Sequence, residues 1–132
     1  MSIRNQTILM ANYKPGICNI GRNEIRIRYL TSIIGFSAFF IFFAISKFTN
    51  TQPSFPLYFI ASLTGFEGFF QGYFRFCATF ALLGVYDFSG SSKEKGKVIG
   101  KEERIKDLWQ MLRIHIYSLI ASLSLSLIVF YF

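Results

Sequence analysis

The amino-acid sequence predicts an all-α membrane protein with three transmembrane helices, a cytoplasmic N-terminus and a cytoplasmic amphipathic helix. The 132-residue chain is 52% apolar, 19% aromatic and only 16% charged. Its apolar residues form three long blocks with almost no charge inside, whereas a soluble domain uses short periodic stretches. Its net charge of +7 comes from Lys and Arg that mostly flank the blocks, and such residues set the orientation of membrane proteins.

The first block follows a segment, 1–28, that lacks the apolar core and cleavage site of a signal peptide and is expected to stay in the cytoplasm. Residues 29–48 are the first predicted transmembrane helix, because 29–46 carry no charge. A helix of that length approaches the ~30 Å hydrocarbon core of a bilayer. A short external loop, 49–54, should lead to the second block.

The second block, 55–86, is predicted as one long transmembrane helix, with Ser54 as its N-cap and Pro56 in its first turn. A helix of that length exceeds the bilayer core, so it must tilt, break near a glycine or project into the cytoplasm. A hairpin of two shorter helices is the alternative. Its arms would be too short to cross, and the basic segment that follows would lie on the wrong side.

A basic linker, 87–112, joins the second block to the third transmembrane helix, 113–132. Its second half predicts an amphipathic helix, 101–112, because apolar residues recur there at i, i+3, i+4 and i+7. We call these four residues the apolar stripe: Ile105, Leu108, Trp109 and Leu112. We expect the stripe to anchor the helix in the membrane surface, with Lys101, Arg104 and Lys106 near anionic lipid headgroups. Packing of the same stripe on a partner protein remains the alternative.

The distribution of Lys and Arg orients the predicted spans. Five precede the first block and seven lie between the second and third, whereas Lys47 stands alone in the first interblock loop. The positive-inside rule therefore predicts an integral protein of the cell (inner) membrane, with the N-terminus and the 89–112 linker in the cytoplasm.

Polar residues inside the second block share one face of the predicted helix. They recur at spacings of three and four: Thr64, Glu67, Gly68, Gln71, Gly72 and Arg75. An unpaired charge near mid-bilayer costs several kcal/mol, so Glu67 should be protonated or paired with Gln71, Arg75 or another helix. Two interpretations stay open: a proton or ion relay at Glu67, or a Glu67–Arg75 clamp that holds helices together or recruits a partner.

Small residues on two of the helices predict how they pack. Gly68 and Gly72 form a small-xxx-small notch that lets another backbone approach closely. The third helix offers a row of serines at i, i+4 and i+8: Ser118, Ser122 and Ser126. We expect these two faces to meet.

Cys18 and Cys77 are the only cysteines. Both fall near the cytoplasmic boundary of the predicted topology and could approach each other, either as reactive thiols in a basic environment or as small packing residues. His115, the single histidine, is expected to be an interfacial residue rather than a catalyst. Two cysteines and one histidine without close spacing predict no metal site, and no motif predicts a cofactor.

Two segments resemble a known family. They are 19–28 (NIGRNEIRIR) running into Gly35, and Leu63-Thr64-Gly65 followed by Phe76-Cys77 and by 82–85 (LLGV). Over residues 18–86 this order is similar to the YgaP-like inner-membrane domain family. The resemblance implies a two-helix domain of mostly unknown function, dimerisation, and more weight for the Cys77 thiol, since some members are fused to a rhodanese sulfurtransferase. This chain departs from it by lacking that domain, by carrying Glu67, Gln71 and Arg75, and by adding a linker and a third helix.

These features predict a non-catalytic protein, since no catalytic set or phosphate loop is present. The leading hypothesis is an accessory, structural or assembly subunit of a larger membrane complex or homo-oligomer. One alternative is a small-solute or proton pathway formed by oligomerisation around Glu67, Gln71 and Arg75. Another is thiol-based sulfur handling through Cys77. The expected partners are the lipid bilayer, anionic headgroups, and other membrane subunits or copies of the chain. Nucleic acid is not expected, because the basic residues flank membrane spans.

Overall fold

Helices dominate the computed structural model, which describes residues 13–90 and 95–132 and is 72% helical. The helices are α1 (Arg22–Thr49), α2 (Phe55–Tyr73), α3 (Ala78–Leu83) and α4 (Lys101–Tyr131). Two three-residue strands, β1 (Val85–Asp87) and β2 (Lys95–Lys97), pair antiparallel with Tyr86 opposite Gly96. Residues 1–12 of the predicted N-terminal segment and 91–94 of the predicted linker lie outside the described residues.

Two of the helices, α1 and α4, are long and apolar enough to cross a membrane. Their 28 and 31 residues correspond to about 42 and 46 Å of helix. Only 17% and 22% of their apolar windows are buried, so most of these side chains face outward rather than into a protein core. This confirms a mostly helical chain with two helices capable, by length and composition, of spanning a bilayer.

The second helix is much shorter than the predicted helix over 55–86, because α2 ends at Tyr73. Phe74 N–H donates to the Phe70 carbonyl and Phe76 N–H to the Gln71 carbonyl, which closes the last turn. Between them Arg75 adopts a left-handed conformation with φ of 53°, which a continuing right-handed helix excludes. The chain then resumes as the short helix α3, which ends at Gly84 in the same left-handed region.

Helix α2 lies between the two long helices and contacts each through a different side. Its glycine face meets α1, where a Cβ on Gly35 would stand 2.3 Å from the Gly65 nitrogen. The absence of side chains therefore allows the two backbones to touch. On the other side, Ser62 Oγ lies 2.9 Å from Ser126 Oγ on α4.

The short elements assemble at one end of the three helices into a unit that we call the cap: residues 13–21, 78–90 and 95–112. Tyr13 stacks on Tyr86 with ring centroids 5.0 Å apart, and Phe88 and Val98 complete this small core. The sequence predicts no such unit, because it assigns these residues to a cytoplasmic N-terminal segment, to the end of the second transmembrane helix and to a linker with an amphipathic helix.

The predicted amphipathic helix 101–112 and the predicted third span 113–132 form one uninterrupted helix, α4. Residues 101–131 contain neither Gly nor Pro, which are the usual causes of a sharp kink. A helix lying flat in the membrane surface must bend before it enters the bilayer. The expectation of a separate surface helix is therefore corrected: residues 101–112 continue the axis of the following span.

Candidate functional site

The polar residues of α2 form a hydrogen-bonded network with α4. Glu67 Oε1 lies 2.6 Å from His115 Nδ1, and Gln71 Nε2 donates to Glu67 Oε2 at 2.9 Å. Gln71 Oε1 in turn accepts from the Ala78 N–H at 3.4 Å. Both carboxylate oxygens thus have partners inside the chain, and the network ties α2 to α4 and to the start of α3.

The network lies about two thirds of the way along α2, towards its cap end, and at the middle of α4. Glu67 precedes the last residue of α2, Tyr73, by six positions, which is about 9 Å along the axis. Its side chain is 20% exposed and that of His115 is 42% exposed. The mid-bilayer depth expected for Glu67 stays a prediction.

Arg75 is not part of this network. Among the described residues no ion pair joins it to Glu67, because the left-handed turn at Arg75 takes it off the helix face that the sequence predicted. The predicted Glu67–Arg75 clamp is therefore replaced by a Glu67–His115 pair between two helices. His115 is the residue that sequence reasoning missed here, since nothing in local spacing connects positions 48 residues apart.

The remaining members of the predicted polar face are divided between neighbours. A Cβ on Gly68 would meet the Arg28 carbonyl oxygen of α1 at 2.6 Å, and one on Gly72 would meet the Tyr29 ring at 3.1 Å. The notch thus faces α1 and not the serine row of α4, which corrects the expected interface. Thr64 Oγ1 donates to the Ile60 carbonyl of its own helix.

The serine row of α4 does face α2, but through a different residue. Ser118, Ser122 and Ser126 are fully buried. Ser62 Oγ contacts Ser126 Oγ at 2.9 Å and the Ser122 carbonyl at 3.4 Å. Ser62 lies outside the spacing of three and four that begins at Thr64, so periodicity gave no signal for it.

The two cysteines are free thiols in different surroundings. Cys77 is fully buried, and its backbone pairs with the Asn19 side chain, which donates to its carbonyl at 3.1 Å and accepts from its N–H at 2.7 Å. Cys18 is half-buried, and burial raises the pKa of its thiol although Arg75 and Lys14 oppose the effect. The Cys77 thiol is thus enclosed by the protein, whereas the Cys18 thiol is partly exposed.

The apolar stripe lies on the outer side of α4. Ile105, Leu108, Trp109 and Leu112 are 46%, 36%, 61% and 44% exposed and line one shallow groove. The opposite side of the same turns is buried, where Asp107 accepts hydrogen bonds from Tyr13 Oη and Gly16 N–H, both at 2.7 Å. Burial, together with that hydrogen bond, raises the pKa of the Tyr13 hydroxyl. The cap thus fixes this part of α4 and leaves the stripe open.

Within residues 13–90 and 95–132, no group of three or more His, Cys, Asp or Glu is arranged to hold a metal ion. Comparison of the chain with protein-family models, with curated proteins and with solved structures gives no significant match. The resemblance to the YgaP-like family stays a prediction. The structure does bring two of its motif residues together, because Asn19 pairs with Cys77.

Proposed function

We propose that this protein is a non-catalytic integral membrane protein that acts as an accessory, structural or assembly subunit of a larger complex or homo-oligomer. The observation that carries the proposal is the exposed apolar stripe on a part of α4 that continues beyond its membrane-spanning residues. An apolar surface outside the bilayer is stable when another protein covers it.

The position of the stripe favours a protein partner over the membrane surface. The uncharged part of α4 begins at Ile114, and Ile105 precedes it by nine residues, or about 14 Å. The headgroup layer on each side of a bilayer is only about 5–8 Å thick. Leu112 and Trp109 fall within that layer, whereas Ile105 and Leu108 stand beyond it. An amphipathic helix that presents such a face is a common docking element for a helix or groove of a partner.

The proposed topology has three spans: α1, α2 and the apolar part of α4. Of these, α2 is the middle one in the chain. Its 19 residues correspond to about 28 Å, close to the hydrocarbon thickness, and it packs between α1 and α4. Its polar atoms at Glu67 and Ser62 are satisfied by α4, which lowers the cost of inserting it. The cap would then lie in the cytoplasm, as its Lys and Arg residues favour, and the protein in the inner membrane.

The docking proposal is tested by purifying the protein from its native membrane in mild detergent and measuring the size of the complex. The variant Ile105→Asp/Leu108→Asp should lose a co-purifying subunit or the self-association. Ile99→Asp is the matched control, because Ile99 is 89% exposed and lies in the cap outside the stripe. A native protein that runs as a lone monomer, or equal loss in the control, would contradict the proposal.

A proton or small-solute pathway around Glu67 is the second candidate, favoured by the 2.6 Å contact between Glu67 and His115. A carboxylate and an imidazole at hydrogen-bond distance can exchange a proton. This candidate predicts that Glu67→Gln abolishes pH-dependent flux into vesicles while assembly is retained. The subunit proposal predicts no flux in the native protein and assembly that depends on the stripe.

A further inference from the structure

A cleft with cationic walls opens in the cap beside the ends of α1 and α2. It has a volume of about 660 Å³ and is lined by Lys14, Arg75 and Gln110 together with apolar residues such as Ile17 and Tyr73. None of the described residues that line it is acidic. Two positive side chains line the cleft and no carboxylate neutralises them there, so the complementary ligand is an anion.

Gln110 adds a neutral hydrogen-bond donor to the two cations of the cleft. The residue is 9% exposed, and it lines both this cleft and a smaller one on the far side of the turn at Gly16. Within residues 13–90 and 95–132 its side-chain amide makes no hydrogen bond. In that part of the chain, the buried side-chain nitrogen and oxygen atoms without a partner are Arg28 Nε and Ser118 Oγ, so the Gln110 amide stays accessible from the cleft. A ligand with acceptor oxygens there would accept its hydrogen bonds.

The backbone of Arg75 is held firmly at this site. Arg75 has a φ of 53°, a conformation that costs an L-residue about 1–2 kcal/mol. The Asn19 N–H donates to the Arg75 carbonyl at 3.2 Å, and the Arg75 N–H donates to the Gly72 carbonyl at the same distance. The start of the guanidinium side chain is therefore fixed beside the cleft and does not depend on a flexible loop.

We propose that this cleft binds the phosphate group of an anionic phospholipid. Arg75 would bind two phosphate oxygens through its planar guanidinium, Lys14 would add a second charge, and the Gln110 amide would donate to a third oxygen. A lipid is favoured over free phosphate because Ile17 and Tyr73, 62% and 64% exposed, form an apolar rim. That rim lies at the cap end of the helices, where acyl chains could follow α1 and α2.

The proposal is tested with the full-length protein in neutral detergent, following the fluorescence of Trp109, the single tryptophan. The titrants are dioctanoyl phosphatidylglycerol, dioctanoyl phosphatidylcholine and glycerol phosphate. The cleft variant is Lys14→Gln/Arg75→Asn, in which Asn tolerates the left-handed conformation. The control Lys97→Gln/Lys101→Gln removes the same charge from exposed positions outside the cleft.

The cleft variant should bind phosphatidylglycerol about 30-fold more weakly, since each basic residue near an anionic lipid contributes about fivefold. The control should bind as the native protein does, and glycerol phosphate should bind far more weakly than the lipid. Equal loss in both variants would show diffuse surface charge and overturn the site. Equal binding of glycerol phosphate, or of phosphatidylcholine, would overturn the assignment to an anionic lipid. If the double variant does not fold, Lys14→Gln alone, at an exposed side chain, should still weaken binding about fivefold.

Discussion

The contact between α1 and α2 depends on a glycine in each helix, and Gly35→Ala should loosen it. A Cβ at position 35 would stand 2.3 Å from the backbone nitrogen of Gly65 and 2.8 Å from its Cα. Ordinary contact begins at 3.4 Å, so the two backbones must separate by about 1.1 Å along this direction. A backbone atom cannot rotate out of the way as a side chain can.

The expected cost follows from that separation. A gap of 0.5–1 Å already removes roughly a quarter to a half of the dispersion energy of the atoms beside it. Overpacked substitutions in protein cores typically cost about 1–3 kcal/mol. Replacing a helical glycine by alanine also stabilises the helix by up to about 1 kcal/mol, because alanine has the higher helix propensity. The control must therefore be another Gly→Ala substitution in a helix.

Gly72→Ala in α2 is that control, because its Cβ would meet only the ring of Tyr29, at 3.1 Å, and the ring can turn aside. Gly72 lies in the last turn of α2, so it gains no more helix propensity than the interior Gly35 does, and the difference between the variants is a lower bound on the steric term. Unfolding in mixed detergent micelles, followed by Trp109 fluorescence and circular dichroism, should show Gly35→Ala less stable than Gly72→Ala by about 1–3 kcal/mol. Equal stability of the two variants would refute the close packing of α1 on α2.

Three further predictions concern the cap. Asn19→Ala should lower the free energy of unfolding by about 1–3 kcal/mol, because it leaves the buried backbone N–H of Cys77 without its acceptor, while the Cys77 carbonyl keeps the Ala81 N–H as a partner; Asn19→Ser, which keeps one short polar group, should cost less in the same denaturation assay. Asp107→Ala should release Tyr13 and speed proteolysis near residue 13, whereas the cap should stay resistant in Glu102→Ala. Burial alone would raise the pKa of Asp87, but hydrogen bonds from Ser89 and Lys95 hold it below 3.8. Its folded pKa is thus depressed, so the native protein should lose stability as the pH falls below about 4, and the stability of Asp87→Asn should change less over that window in acid titrations.

Composition predicts the two long apolar helices because their character is local. The uncharged run 29–46 lies within α1, and the run from Ile114 lies within α4. The end of α2 is different, because it depends on a distant residue. The side chain of Asn19, 58 positions away, forms hydrogen bonds with the backbone of Cys77, which lies outside any helix. No property of the sequence near Tyr73 indicates that pairing. The spacing of polar residues in the second block therefore predicts a helix that continues past the end of α2 at Tyr73.

In the Glu67 network, too, one contact follows from local spacing in the sequence and another depends on distant packing. The Gln71–Glu67 hydrogen bond has the i, i+4 spacing of a helix and follows from the sequence. The pairing of Glu67 with His115 depends on how α4 packs on α2, so the sequence leaves the partner open among Gln71, Arg75 and another helix. The lack of Gly and Pro over 101–131 is a local signal for a single helix through the boundary at Arg113.

The pairing of Asn19 with Cys77 has a consequence for the order in which the chain is made. Asn19 precedes α1 and Cys77 follows α2, so both helices lie between the partners. During synthesis the segment around Asn19 leaves the ribosome first and can pair only after α2 has been made. If α1 and α2 insert as the proposed hairpin, the cap closes only once α2 has returned to the cytoplasmic side, and a chain with a misplaced α2 would leave the segment around Asn19 open to proteases there.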